Sequence, residues 1–345
     1  MTRRRKFVAP LLCLIGVHLV ALFSGFFAPY DYAEQNRALT YARPSRFHFR
    51  DLEGKFHWRP CVSALVERPG SFGVYDEDRN NCYPICFFVR GAKYNALGIF
   101  QSDRHLFGVR EPARIFLLGS DGYGRDEFSR LLCGAELSLF AGLLATGLTL
   151  GLGVVFGIVA GYYSGWPDAI IMRAVELSLA LPWLYLLFAI RAFLPLHISP
   201  WQAFLLLVVV IGIVGWARPA RLIRGIVLSE KERSYVLAAR MFGGSDVYLM
   251  RRHLAPPIYS MLHTQAALLI PQYILAEITL SFLGLGVSEP VPSWGNMLSD
   301  LQHYDVLVSY WWMWIPGCAL VTVCFGYWFL ANALQASAEN FAQQH

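Results

Sequence analysis

The chain has 345 residues, of which 56% are hydrophobic and only 15% are charged, and its mean hydropathy is +0.42. This is too little polar side chain to coat a soluble globule of that size, so the composition excludes a water-soluble protein. The net charge of +5 is modest, and we expect no nucleic-acid partner.

Six uncharged or nearly uncharged segments are long enough for transmembrane helices, because about 20 helical residues cross about 30 Å of hydrocarbon. We therefore predict an all-α polytopic membrane protein with six transmembrane helices. The predicted helices lie near residues 7–28, 136–161, 174–194, 200–217, 261–285 and 311–333.

The first apolar segment follows the cations Arg3 to Lys6, an arrangement that also occurs in secretory signal peptides. Its apolar stretch is longer than a usual signal core and lacks a clear cleavage site, which favours a retained anchor. The positive-inside rule then predicts that both termini are cytoplasmic, in a multi-pass protein of the cell (inner) membrane. The basic segment 218–252 and the loop 286–310, which has no Lys or Arg, agree with this orientation.

Residues 31–115 form a polar, aromatic-rich region that this topology predicts to be exported. Pro and Gly residues interrupt its short aromatic runs, so we predict a small β-rich insertion. The predicted organisation is an N-terminal tip with the first helix, the insertion, a transmembrane domain and a C-terminal tail. Their bounds are 1–30, 31–115, 116–338 and 339–345.

Three cysteines lie in the insertion, and an oxidising compartment would permit a disulfide there. We predict one bridge, from Cys61 to either Cys82 or Cys86, with three unrelated thiols as the alternative. Cys82 and Cys86 lack further ligands at useful spacing, so we expect no metal site.

Residues 234–257, SYVLAARMFGGSDVYLMRRHLAPP, are the most informative segment of the chain. Ser234 is a candidate cap for a short helix, and Gly243 suits the left-handed conformation at which helices end. Ser245 is typical of the start of a second helix, which we expect Pro256 and the proline after it to stop. The pattern predicts a cytoplasmic helical hairpin; a solvated loop that merely obeys the positive-inside rule is the alternative.

This hairpin resembles the EAA loop of binding-protein-dependent ABC importer permeases. The candidate ATPase-coupling residues are Tyr235, Ala238, Ala239, Arg240, Gly243, Ser245, Asp246, Arg252 and His253. Pro256 also matches the family pattern, whereas Leu237 stands where the family has Glu. That difference argues against the ionic contact which a Glu would make to the ATPase.

Three further stretches are similar to the dipeptide and oligopeptide permease subfamily: residues 119–139, 160–173 and 278–298. The subfamily's basic C-terminal tail is absent, since residues 331–345 contain no Lys or Arg. The resemblance implies the type I ABC importer fold, usually a heterodimer of two permease chains that receives its solute from an exported solute-binding protein. Relatives carry peptides, nickel chelates or opines, and peptide is our expectation.

The resemblance also implies separate ABC ATPase subunits, because the chain has no GxxxxGK[ST] phosphate loop. We therefore expect a transport subunit that is not itself an enzyme and needs no cofactor, with ATP bound by the partner subunits. Motifs such as HExxH and GxSxG, which would favour an enzyme, do not occur. The remaining alternative is a channel or scaffold whose basic hairpin binds a partner other than an ATPase.

Two features inside the predicted helices are ambiguous. Glu277 is an intramembrane polar candidate, because a carboxylate within a span is costly and often functional. We favour a hydrogen bond to a neighbouring helix over contact with the solute. The glycines of the second predicted helix form small-xxx-small rows, for which static packing is favoured over a moving interface.

Overall fold

The structure is a computed structural model that describes residues 2–50, 56–70, 73–78, 81–96, 100–193 and 198–342. The chain divides into two compact units. The first unit comprises Met1–Leu14, Phe140–Leu280 and Val323–His345, and the second comprises Ile15–Leu139 and Ser281–Thr322. The candidate hairpin belongs to the first unit and the β-strands belong to the second.

Helices dominate the described part of the chain. The α-helices are α1 Thr2–Leu22, α2 Ser24–Phe27, α3 Glu127–Tyr163, α4 Gly165–Ala180, α5 Trp183–Ala192, α6 Pro200–Gly215, α7 Ala217–Lys231, α8 Ser234–Met241, α9 Asp246–Leu249, α10 Ala255–Phe282, α11 Trp294–Ser299, α12 Tyr304–Ser309 and α13 Ile315–Ala342. Short 3-10 turns cover Arg37–Leu39, Asp300–Gln302 and Trp311–Trp314, and a π-helical turn covers Met250–Leu254.

Several of these helices can cross a bilayer. Among the described residues, three helical stretches are long and apolar enough, namely Glu127–Tyr163, Asp246–Phe282 and Trp311–Ala336. The bent pairs α4–α5 and α6–α7 raise that number to five if each pair is one span, and α1 has a shorter apolar stretch, Val8–Leu22. The chain is thus built as a multi-pass membrane protein, as its composition predicts.

The prediction of one continuous helix over 174–194 is wrong. The chain forms α4 and α5 there, which meet at an angle of 92°, and residue 194 lies outside the described residues. Pro182 explains the break, because proline has no backbone N–H and disfavours helical geometry at the residue before it. Leu181 accordingly has an extended backbone, with φ −88° and ψ 137°.

Proline does not end the second arm of the hairpin, and this prediction too is wrong. The helix that begins at Asp246 continues to Phe282 as one 37-residue stretch. The wide π-helical turn Met250–Leu254 ends two residues before Pro256. The helix therefore runs through both prolines, and the widened turn accommodates their missing N–H donors.

The first unit is held together partly by close contact between α3 and α7. A Cβ atom added at Gly153, Gly157 or Gly161 would lie 2.6–2.8 Å from side chains of α7. These three glycines therefore bring the two helix backbones together, whereas Gly147 and Gly151 have nothing within 4 Å of the same position. Only one of the predicted glycine rows makes this contact.

The second unit contains three small antiparallel sheets. Their strands are β1 His48–Arg50, β2 Phe56–Val62, β3 Leu65–Glu67, β4 Tyr75–Glu77, β5 Tyr83–Pro84, β6 Cys86–Ala96 and β7 Phe100–Gly108. The strand orders are β1-β2-β5, β3-β4 and β6-β7. A disulfide joins Cys61 of β2 to Cys82, and Cys86 is a free, partly buried thiol.

Candidate functional site

The turn of the hairpin is a Schellman motif centred on Gly243. The Gly244 N–H donates to the carbonyl of Ala239 and the Gly243 N–H donates to that of Arg240, both at 3.0 Å. These two bonds satisfy carbonyl groups that the end of α8 leaves open. Gly243 has φ +85°, a left-handed conformation that a Cβ atom would strain. The sequence correctly predicted this glycine as the end of the first arm.

The caps of the two arms differ from one another. Ser245 caps α9, since its hydroxyl group accepts a 3.3 Å hydrogen bond from the Tyr248 N–H. Ser234 does not cap α8, which corrects the prediction: it is the first helical residue, and the extended residue Arg233 precedes it without a side-chain cap. The arginine side chain has no oxygen atom to accept a capping hydrogen bond.

The base of the hairpin is buried and its tip is exposed. Val236, Leu249 and Leu254 are at most 4% exposed. At the tip, Met241 is 88% exposed and Phe242 is 92% exposed. Further apolar side chains that lie open to solvent on the hairpin are Tyr235, Leu237, Val247 and Tyr248. Six large apolar side chains exposed on some fifteen residues are unusual for a loop that only meets water.

A polar cluster fixes the hairpin to the end of α3. Tyr162 donates a hydrogen bond to the carboxylate of Asp246. Arg240 lies 3.7 Å from the same carboxylate, 3.2 Å from the Tyr162 hydroxyl and 5.7 Å from the centre of its ring. Two of the predicted coupling residues, Arg240 and Asp246, therefore hold the two arms together through a residue that the sequence did not single out.

An aromatic cluster also holds the two arms together. The His253 ring centre lies 5.6 Å from that of Tyr235 and 5.7 Å from that of Tyr248. Tyr235 donates a 2.5 Å hydrogen bond to Glu230 at the end of α7, and the nearby carboxylate raises the pKa of the tyrosine. Tyr235 and His253 thus contribute to the packing of the hairpin.

The remaining candidate residues differ in surroundings. Ala238 and Arg252 are exposed and Ala239 is half-buried. The two alanines have small side chains, so a partner can approach the backbone of α8 closely beside the apolar tip. Leu237 points outward, 42% exposed. Glu277 is fully buried within α10, away from the hairpin in sequence.

A second polar cluster lies in the 119–139 stretch, for which no site was predicted. Arg125 and Arg130, which are 3% and 2% exposed, both lie near Asp121, at 2.6 and 3.6 Å. Both also contact Glu289, which follows α10 in the chain and lies 2.9 Å from Arg130. Two buried guanidinium groups are thereby neutralised by two carboxylates.

Comparisons with known proteins place this hairpin within a matched region. Residues 153–339 match the model of the family "Binding-protein-dependent transport system inner membrane component". The chain is 34% identical to the dipeptide transport system permease protein DppC of Bacillus subtilis (strain 168), over 65% of this chain and 68% of the relative. It is 32% identical to the oligopeptide transport system permease protein OppC of the same strain, over 70% and 75%. It is 34% identical to the glutathione transport system permease protein GsiD of Pectobacterium atrosepticum, over 63% and 68%.

Proposed function

This chain belongs to the family of inner membrane components of binding-protein-dependent transport systems, and from that premise we propose that its α8–α9 hairpin is the docking element for a separate ATPase subunit. The chain is a multi-pass permease subunit of an ABC importer. ATP binding and hydrolysis would take place on the partner, whose closure would move the helices that the hairpin joins.

The exposed apolar tip is the observation that carries this proposal. Met241 and Phe242 extend from a turn whose base is buried and whose two arms are fixed by Arg240 and Asp246. Because the arms hold the backbone of the turn in place, its backbone loses little conformational freedom on binding, which favours the two apolar side chains as anchors in a pocket of a partner. Leu237, in place of the family's Glu, extends this apolar surface.

The connection between the hairpin and the membrane supports a coupling role. The second arm continues into α10 without a break, from Asp246 to Phe282. The first arm follows α7 after two residues, and its Arg240 donates a hydrogen bond to Tyr162 of α3. A displacement at the tip would therefore move three helices instead of a flexible loop.

We further propose peptide as the transported solute, because relatives over most of the chain are named for dipeptide, oligopeptide and glutathione transport. The pathway would be completed by a second permease, forming a heterodimer, and the solute would arrive from an exported solute-binding protein. Glu277 would hydrogen-bond to a neighbouring helix within the bundle.

The proposed topology has six crossings with both termini in the cytoplasm and residues 31–115 exported. Three long apolar helices, two bent pairs and the apolar part of α1 together would supply those crossings. The cations of the hairpin segment and the absence of Lys and Arg from residues 286–310 support this orientation.

The test is co-purification of the ATPase from native membranes in mild detergent. We expect ATPase subunits and a second permease to accompany the wild-type chain, and Phe242→Asp to release the ATPase while the second permease stays bound. Trp58→Asp is the control, because Trp58 is equally exposed, at 91%, but belongs to the β-strand region. Unchanged ATPase binding in Phe242→Asp would refute the docking role of the tip.

A further inference from the structure

The hairpin of strands β6 and β7 lies against the end of the first apolar segment. His105 of β7 donates from Nδ1 to the carbonyl of Ala28 at 2.6 Å. The ring of Phe26 in α2 lies 6.3 Å from that of Phe88 in β6. The Tyr94 ring fills the space above Gly25, where an added Cβ atom would lie only 2.3 Å from it. This β-hairpin is therefore fixed to α2.

The depth of α2 relative to the bilayer follows from its contact with α3. Ser24 donates a 2.6 Å hydrogen bond to Glu136. Glu136 is the last charged residue before the uncharged stretch 137–167, most of which belongs to the spanning helix α3. Phe107 of β7 also packs on Phe128, near the start of that helix, with ring centres 6.2 Å apart. The base of the β6–β7 hairpin thus lies at the level where two apolar helices leave the hydrocarbon.

At this level the hairpin exposes adjacent aromatic rings. Phe87 and Phe88 are 61% and 62% exposed. Consecutive strand residues normally face opposite sides, but Phe88 has φ +54°, a left-handed conformation that is rare for an aromatic residue. Both rings remain open, and Phe23, directly after the first apolar helix, is exposed as well. Arg90 and Lys93 follow on the same strand, and both are exposed.

We propose that Phe87 and Phe88 insert into the lipid at the membrane interface, so that the β6–β7 hairpin anchors residues 48–108 to the bilayer surface. Aromatic rings favour this zone, and the long cationic side chains of Arg90 and Lys93 can reach lipid phosphates from it. Lipid is the occupant because contacts of this hairpin, Phe88 with Phe26 and Phe107 with Phe128, place the exposed rings at the end of the first apolar helix and near the start of α3. The exported leaflet follows from the proposed topology, whereas the contact with lipid does not depend on ATPase docking.

The test measures the surroundings of residues 87 and 88 directly in the reconstituted complex. Nitroxide labels are placed on Phe87→Cys and, separately, Phe88→Cys, in a chain whose free cysteines are replaced by Ser and whose Cys61–Cys82 bridge is kept. Collisions with molecular oxygen, which concentrates in lipid, are compared with collisions with a water-soluble nickel chelate. Trp58→Cys provides the exposed aromatic control in sheet β1-β2-β5.

We expect the ratio of oxygen to nickel collisions to be severalfold higher at 87 and 88 than at 58. Equal ratios would overturn the proposal, since the face would then be in water. Exclusion of both reagents, or loss of nickel collisions only when the solute-binding protein is added, would also overturn it and assign the face to a protein partner. If the cysteine-replaced chain does not assemble, an apolar diazirine photolabel on the unaltered complex serves instead, and labelling confined to strands other than β6 would contradict lipid insertion.

Discussion

Tyr162, near the end of α3, donates a hydrogen bond to Asp246, the first residue of α9, across a sequence separation of 84 residues. The bond joins a spanning helix to the hairpin turn beyond α7. Arg240 contacts both partners, so this small cluster decides how firmly the apolar tip is held.

Removing the Tyr162 hydroxyl group should loosen the hairpin without unfolding the bundle. Tyr162→Phe keeps the ring near Arg240 but loses the hydrogen bonds that join its hydroxyl group to Asp246 and Arg240, a loss of about 1 kcal/mol or more. Amides of residues 235–249 should then exchange with deuterium about fivefold faster, while those of α10 stay unchanged. Tyr163→Phe, at the exposed neighbouring ring, is the control; equal exchange in the two variants would contradict this account.

Adding a methyl group to a glycine of α3 should lower stability where the glycine contacts α7 and leave stability unchanged where it does not. An added Cβ at Gly157 meets Ile223 Cβ at 2.7 Å and the Ala220 carbonyl at 2.8 Å. Gly157→Ala should therefore destabilise the chain by about 1–3 kcal/mol through overpacking. Gly151→Ala lies on the same helix with nothing within 4 Å, and its apparent Tm in detergent should not fall. A similar loss of Tm in both variants would argue against close α3–α7 contact.

Neutralising Asp121 should destabilise the chain far more than neutralising a surface aspartate. Asp121→Asn keeps the shape of the side chain but leaves Arg125 and Arg130 with Glu289 as their remaining carboxylate partner. Breaking such a buried pair costs about 3–5 kcal/mol. Asp76→Asn breaks the exposed pair with Arg68, which water screens, so stability should hardly change. Thermal unfolding of both variants at one pH checks the contrast, and comparable shifts would show that the cluster is not buried.

Asp126 should make stability depend on pH. Burial raises its pKa to about 7, from an ordinary value of about 3.9, although Ser129 donates two hydrogen bonds to it. The folded chain therefore binds this proton more tightly than the unfolded chain. Its contribution to stability is full below about pH 4 and is lost as the pH rises to about 7.

Asp126→Asn tests this dependence while preserving the cap of α3, because Asn is also a good cap. The Tm of the variant relative to wild type should rise between pH 5 and pH 8. Asp300, whose pKa burial raises to about 6, is present in both proteins, so its titration cancels when their Tm values are compared. A constant Tm difference across that range would contradict this account, because it would show that Asp126 does not titrate there.

The sequence predicted those features whose conformation depends on neighbouring residues in the chain. Uncharged length gave the apolar cores of α3, α10 and α13, and Gly243 and Ser245 marked the turn because glycine adopts positive φ and serine caps helices. Pro182 is also present in the sequence, but the helix was predicted from the length of the uncharged segment alone, which takes no account of the missing N–H of proline. The break between α4 and α5 was missed for that reason.

Contacts between residues far apart in the chain could not be predicted from a single sequence. Arg130 and Glu289 are 159 residues apart, and no local pattern pairs them. The π-helical turn before Pro256 was missed for a different reason, since it depends on packing of Leu254 with Ile223 and Val227 of α7. Tertiary contacts there override the usual effect of proline.

The most direct test of the central claim is photocrosslinking from the hairpin tip in native membranes. Phe242 is replaced by photoreactive p-benzoylphenylalanine, with the same replacement at the exposed Trp58 as control. The account predicts a crosslink from position 242 to an ATPase subunit and none to the ATPase from position 58. Crosslinks from position 242 only to lipid, or to a protein without a nucleotide-binding site, would contradict it.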